Sequence, residues 1–382
     1  MRQTVGVILI FVLLIVSLAY LLIGFNRGIN LYDEGLIVTG AARVLAGELP
    51  CRDFWTIYAP GQFMTIAGLF AVVGPGLPAE RLWSTLIHLA LALAVFLIAK
   101  RLTSTRWALV AWLLALLWLG TFAFYGSPIP PAVLLALAAV GALTKFFADP
   151  RPRWALTAGA LTAAASFFRH DIGVYTAVAF VVVLLAFWRR ERGRTLRDGA
   201  GAYLGGLAIV GLPGWIAFAA TVGLRAFVDQ LLVFPLTVFP QARALAYPAL
   251  LPTRDVGVSV ADTITLASAN FAFYLPFIVY AAAAIALWLW RRAQDANSPA
   301  FWGALSLWLI GLLFLNQARV QSTPSHLLPT LLPAAILFAV LCRRLWDSRA
   351  KLRLPALLAL AAVGLFFIAQ PLRAEAYLLK KT

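Results

Sequence analysis

The chain has 382 residues, of which 63% are apolar and only 12% charged, whereas a soluble domain carries about twice that share of charge. Apolar runs at this density mark a polytopic membrane protein. The net charge of +16 does not point to nucleic acid, because Lys and Arg fall in short clusters between apolar segments, where membrane topology places them.

The first apolar segment, residues 5–25, has spanning length and no small-residue cleavage site after it, so it reads as an uncleaved first helix. Residues 26–79 form a long segment of mixed polarity that holds Asp33, Glu34, Glu48 and Asp53, four of the fifteen acids in the chain. Within it, Leu36, Ile37, Ala41, Val44 and Leu45 recur at helical spacing, and Gly47 is a helix stop. Arg43 and Glu48 are expected to face water or headgroups. Residues 59–74 are a candidate for dipping into the membrane. Further spans are expected near 80–100, 106–125, 128–148, 154–169, 171–188, 200–222, 264–290, 299–316, 324–342 and 355–370, about eleven with the first. A second long segment, 223–263, is expected to lie at the interface with short amphipathic helices.

The loops that follow even-numbered spans carry most of the Lys and Arg, and the acids concentrate in the others. The N-terminus is therefore expected to be cytoplasmic, with both long segments on the outer face. This topology puts Cys51 and Cys342 on opposite sides, and two cysteines are too few for a disulfide framework or a thiolate metal site. The expectation is a single all-α membrane domain over residues 1–382.

Three outer constellations could carry chemistry. Asp33 and Glu34 follow the first span closely. A carboxylate there can take a proton from a hydroxyl, hold a divalent cation, or cap the helix that follows. In "FFRHDIGVY", residues 167–175, Arg169, His170 and Asp171 stand together. They either close a tight hairpin through an Arg169–Asp171 pair or face a phosphate or sugar. In "NQARVQSTPSHLLP", residues 316–329, Arg319 and His326 are the strong cationic candidates. Trp55, Tyr58, Phe122, Phe124 and Tyr125 suit an aromatic belt or a sugar platform. Asp229, Asp255 and Asp262 either shape an acceptor site or are solvated. Three histidines, none at ligand spacing, argue against zinc.

The opening of the chain resembles the GT-C superfamily of membrane glycosyltransferases. The similarity is greatest to the branch of protein O-mannosyltransferases and the aminoarabinose transferase of lipid A. It rests on "LYDEGLIVTGAARVLAGELPCRDFWTIYAPGQF" and "GLPAERLWSTLIHLALALAVFLIAKRL" behind a first span. The family's elements appear as Gly47, Pro50, Asp53 and Phe54, as Tyr58, Pro60 and Gly61, and as Arg81 opening the second span. Cys51 departs from the pattern, where an aromatic often stands. The resemblance implies transfer of a sugar from a polyprenyl-phosphate donor to a hydroxyl of a glycan, lipid or protein at the outer face, with inversion. It implies Asp33 as general base, with Glu34, Asp53 and Asp171 supporting it or holding a cation. Arg319, Arg169 and His326 would meet the donor phosphate, and Tyr58, Arg81 and His170 the sugar or lipid. No nucleotide-sugar fold is visible. A transporter or lipid flippase is the alternative, and it requires ionisable residues deep in the spans. Here His88 is the main deep polar residue. A membrane scaffold does not explain why outer charges gather in three loops.

Overall fold

The computed structural model describes residues 2–26, 28, 30–121, 125–191, 196–250, 259–292, 298–348 and 353–379. Phe122, Phe124 and Asp255 lie outside these residues. The described chain is helical, and its β structure is limited to two isolated bridges, Pro50 to Phe54 and Leu245 to Gln321.

Helix α1 (Arg2–Ile23) is the first apolar span, and the first long segment folds into α2 (Asp33–Leu45) and α3 (Pro60–Val73). Then come α4 (Leu77–Leu102), α5 (Thr105–Thr121), α6 (Ile129–Ala148), α7 (Pro152–Phe168) and α8 (His170–Glu191). A π-helical turn precedes α9 (Ala202–Val222). The second long segment holds α10 (Leu224–Val228), a π-helical piece at Asp229–Val233, α11 (Phe234–Thr237) and α12 (Phe239–Ala242). The chain continues through α13 (Val260–Phe271), α14 (Leu275–Arg292), α15 (Pro299–Val320), α16 (Pro324–Asp347) and α17 (Arg353–Leu379).

Among the described residues nine stretches are long and apolar enough to cross a membrane, in α1, α4, α6, α8, α9, α14, α15, α16 and α17. The other two expected spans form α5 and α7, each of 17 residues. Each rises about 26 Å, close to a hydrocarbon core of about 30 Å. One expectation is corrected. Residues 264–290 do not form one span, because a turn at Ala272–Tyr274 separates α13 from α14. Pro276, in the first turn of α14, has no N–H to continue the preceding ladder. Helix α3 has 14 residues, rises about 21 Å and packs against α2. Ile37 and Ala41 of α2 pack on Phe63, Ile66, Ala67 and Phe70 of α3, the faces that apolar periodicity marks out.

The helices group into two compact units, Met1–Ala94 with Ala123–Arg243, and Val95–Phe122 with Ala244–Thr382. In the first, α7 crosses α9 at Gly159 and Gly206. A Cβ on either would strike the facing backbone, which is how small residues let helices in membranes approach closely. In the second, α16 is the most buried span. Tyr280 of α14 donates to the Thr330 carbonyl at 2.6 Å, and the Thr330 hydroxyl donates to the Gly311 carbonyl at 2.8 Å, joining α14, α15 and α16.

Basic residues occupy the last turns of α4, α6, α8, α14 and α16, the ends that meet the expected inner loops. A cysteine placed at Asp53 in a cysteine-free background is therefore expected to react with an impermeant maleimide on intact cells. One placed at Arg151 should react only after permeabilisation. The reverse pattern would invert the orientation.

Candidate active site

The site is built at the start of α2. The Asn30 side-chain oxygen accepts the backbone N–H groups of Tyr32 and Asp33 at 3.2 and 3.1 Å. Its amide nitrogen donates to Asp33 Oδ2 at 2.8 Å. In return, Glu34 Oε2 accepts the Asn30 backbone N–H at 2.9 Å. This is the reciprocal logic of a capping box, satisfying donors that a helix start leaves unpaired. It also splits the two neighbouring carboxylates. Asp33 is half-buried, with Oδ2 held by Asn30, and its Oδ1 accepts no hydrogen bond among the described residues.

Glu34 is buried and closed. Arg81 Nε donates to Glu34 Oε1 at 2.7 Å, and Arg81 Nη2 donates to Oε2 at 3.0 Å. The guanidinium also reaches back to the loop before α2, donating to the Phe25 carbonyl at 2.6 Å and to the Gly28 carbonyl. Tyr125 covers the guanidinium, its ring centroid 5.1 Å from Arg81 Cζ. Of the roles expected for Glu34, capping is the one its contacts make, and through Arg81 it also holds the loop before α2. Arg81 is mostly committed to the loop, though it also lines a cavity of about 580 Å³ with Phe25, Asn26, Gly28, Leu77 and Pro78. Among the described residues no three His, Cys, Asp or Glu side chains gather as a metal cage.

Arg169 caps α7, and its guanidinium grips Asp171 at 3.1 and 2.7 Å, the hairpin-closing pair. Asp171 Oδ1 also accepts the Ile172 N–H at 2.8 Å. Burial works against the Arg169 charge, but the Asp171 carboxylate more than offsets it, so the guanidinium pKa lies above its ordinary value. The motif "YAPG" fits against this hairpin. A Cβ on Gly61 would lie 2.5 Å from the Phe167 carbonyl oxygen, so only glycine permits the contact. Tyr58, just before it, is half-buried. Burial raises its phenol pKa, the Arg169 charge opposes that rise, and Asp33 adds to it. Tyr58 therefore stands in the fields of both Asp33 and Arg169. His170 lines an apolar cavity of about 530 Å³ formed by α7, α8, α9 and the second long segment.

Asp53 organises its own turn. Its Oδ2 accepts the Leu49 N–H at 2.7 Å, and Arg52 pairs with it at 2.8 Å. The Arg52 hydrogen bond is the largest of the effects that hold the exposed Asp53 carboxyl below its ordinary pKa. The second long segment clips this loop. Gln230 donates to the Cys51 carbonyl at 2.8 Å and accepts the Thr56 N–H at 2.9 Å, and Phe234 meets Trp55 edge-on. Asp229 makes only a loose exposed pair with Arg225 at 3.6 Å, and Asp262 caps α13 with Ser259.

In the second unit, Arg319 lies exposed in the last turn of α15, its Nε donating to the Asn316 side-chain oxygen at 2.9 Å. His326, in the first turn of α16, shares Nδ1 with the Thr323 hydroxyl at 2.7 Å. The two side chains thus flank one short helix-to-helix connection, residues 321–323.

Sequence reasoning missed three residues that shape the site: Asn30, Glu80 and Gln230. Asn30 was legible as an N-cap four residues before an acid. Glu80 stood beside Arg81 in plain view, yet an acid at a helix start reads as a dipole complement. Gln230 carries no local signal, because its partners are 174 and 179 residues away in sequence.

Comparison with known proteins agrees with the resemblance seen in the opening of the chain. Residues 58–215 match the family model of dolichyl-phosphate-mannose-protein mannosyltransferases. The whole chain superimposes on ArnT from Cupriavidus metallidurans bound to undecaprenyl phosphate, with a TM-score of 0.60 at 16% identity, covering 99% of this chain and 76% of that one. It also superimposes on the Archaeoglobus fulgidus oligosaccharyltransferase tethered to an acceptor peptide, with a TM-score of 0.54 at 11% identity, covering 97% of this chain and 55% of that one. No curated protein gives a match. The chain has the GT-C fold, all-α and polytopic.

The closed Glu34–Arg81 pair sets a stability expectation. Removing one partner of a buried pair strands the other and costs about 3–5 kcal/mol. Arg81→Leu should therefore lower the unfolding temperature in detergent sharply. The double variant Glu34→Leu/Arg81→Leu should recover part of the loss, and thermal unfolding of the purified proteins checks this.

Proposed function

We propose that the chain transfers a sugar from a polyprenyl-phosphate-linked donor to an acceptor hydroxyl at the outer membrane face, with Asp33 as general base. The observation that carries this reading is the division of labour between adjacent carboxylates. Glu34 is closed in a buried salt bridge, while among the described residues Asp33 is held by one oxygen and presents the other. A base needs an oriented carboxylate with an oxygen open to the incoming proton.

In this scheme the acceptor oxygen attacks the anomeric carbon from the face opposite the phosphate. Its proton passes to Asp33, the bond from the anomeric carbon to the phosphate oxygen breaks, and the electron pair leaves with the polyprenyl phosphate. The configuration inverts. The developing charge on the phosphate needs a cation. Arg319 suits that role by its fixed charge, and His326 by its ring N–H, across one helix connection. Arg169 is, with Arg243, a cation whose field reaches Tyr58 together with that of Asp33, and its effect is the larger of the two. A divalent cation joining the site would find Asp33 as its carboxylate, since both Glu34 oxygens are engaged. The acceptor is a glycan, lipid or protein hydroxyl. Support comes from the family model and from ArnT, whose structure holds undecaprenyl phosphate. The flippase alternative is weakened by the charged groups of the first turn of α4, Glu80 and Arg81. They face the loop cluster rather than lining a path along the helix.

Asp33→Asn should leave the protein folded and lower transfer by about 10²–10⁴-fold, read with purified protein, synthetic polyprenyl-phosphate sugars and a glycan acceptor. Glu34→Gln should show the opposite balance, with a lower unfolding temperature but more turnover per folded molecule than Asp33→Asn. Equal turnover of Asp33→Asn and wild type would move the base to Asp53 or Asp171. Arg319→Ala should weaken binding of polyprenyl phosphate by about tenfold, as loss of a charge-assisted bond does. Unchanged affinity would assign the phosphate to Arg169.

A further inference from the structure

Glu80 is fully buried in the first turn of α4, and the scheme above gives it no part. Its Oε1 accepts the Gly126 backbone N–H at 2.6 Å and the Ser84 hydroxyl. Its Oε2 is buried and has no hydrogen-bond partner among the described residues. The neighbouring cation, Arg81, gives its hydrogen bonds among the described residues to Glu34 and to the loop carbonyls. A buried carboxylate without its own cation is expensive, so the position calls for a reason.

Gly126 supplies one. It sits in a turn at φ +73°, a left-handed conformation, pressed directly on the backbone of the two key acids. A Cβ there would lie 2.8 Å from the Asp33 carbonyl oxygen and 2.8 Å from Glu34 Cα. Gln62 holds the other side of the turn, its amide donating to the Gly126 carbonyl at 3.4 Å. The turn is thus a wedge behind Asp33. Glu80 sets its depth through a short bond from a backbone N–H, and the Tyr125 ring of the same turn lies over Arg81.

We propose that Glu80 is a positioning residue for Asp33, acting through the Gly126 turn. It fixes the backbone from which the carboxylate projects, so that Asn30 alone need not hold the aim. The proposal rests on the reading of Asp33 as the base, but its contact can be tested separately. A misplacement of about 1 Å near reacting atoms costs on the order of 10²-fold in rate, so a loosened wedge should act on kcat and spare donor binding.

The test uses the full chain in nanodiscs with variants Glu80→Leu, Glu80→Gln and Gly126→Ala. Glu80→Leu should lower kcat on the order of 10²-fold, leave the donor KM within about twofold, and be no slower when combined with Asp33→Asn than Asp33→Asn alone. Glu80→Gln keeps a side-chain oxygen for the Gly126 N–H and should restore most of kcat. Hydrogen exchange at residues 30–35 and 125–127 should quicken in Glu80→Leu and Gly126→Ala and stay slow in Glu80→Gln. If Glu80→Leu fails to fold, Gly126→Ala carries the test, because it displaces the same wedge from the side that faces α2. Unchanged exchange at 30–35 in the folded variants, or rate losses that add to that of Asp33→Asn, would overturn the proposal. Full turnover by Asp33→Asn would instead remove the base assignment, and the exchange at 30–35 would still decide whether Glu80 holds that backbone.

Discussion

The buried ion pair between Glu34 and Arg81 is the constraint on which the candidate site depends. It joins the N-terminus of α2, the loop before it and the first turn of α4 through one guanidinium. Such a pair is weak evidence for net stability, since desolvation of both partners offsets the attraction. What it supplies is geometry. It consumes Glu34 and leaves Asp33 as the oriented carboxylate. Tyr125 and Gly126 then pack over it, and Glu80 holds that turn in place. Three separate stretches of the first unit converge on a point just past the first span.

The same economy recurs around it. Gly61 allows α3 to start against the end of α7, which places Tyr58 in the fields of Asp33 and Arg169. Gln230 ties the Cys51–Thr56 loop to the second long segment with both ends of its amide. These contacts use backbone groups and small residues, so the loops are shaped by hydrogen bonding and close approach rather than by a large apolar core. Rigid support of that kind suits a site whose catalysis would come from positioning and electrostatics.

Much of this was legible in the sequence, and the limits have physical causes. The spans follow from apolar run length, and α2 from the spacing of Ile37 and Ala41, both buried where the period puts them. The Arg169–Asp171 hairpin was one of two readings, and local separation made it visible. The division at Ala272–Tyr274 was not, because the residues on both sides are apolar and a span of mean composition hides a turn. The partnership of Glu34 with Arg81 crosses 47 residues, and that of Glu80 with Gly126 crosses 46. Pattern within a window cannot report such pairs. Asp33 and Glu34 looked equivalent because their difference arises only when α4 supplies Arg81.

The central claim is that the chain breaks the bond between sugar and polyprenyl phosphate and remakes it to a hydroxyl. The most direct measurement incubates the purified protein in nanodiscs with a synthetic polyprenyl-phosphate sugar and a hydroxyl acceptor. Mass spectrometry then follows the products, and NMR the anomeric configuration. The account predicts one polyprenyl phosphate released for each sugar transferred, an inverted anomeric centre, and loss of both products with Asp33→Asn. Lipid-linked sugar that crosses a vesicle bilayer intact, with no transfer to any acceptor and no dependence on Asp33, would contradict it.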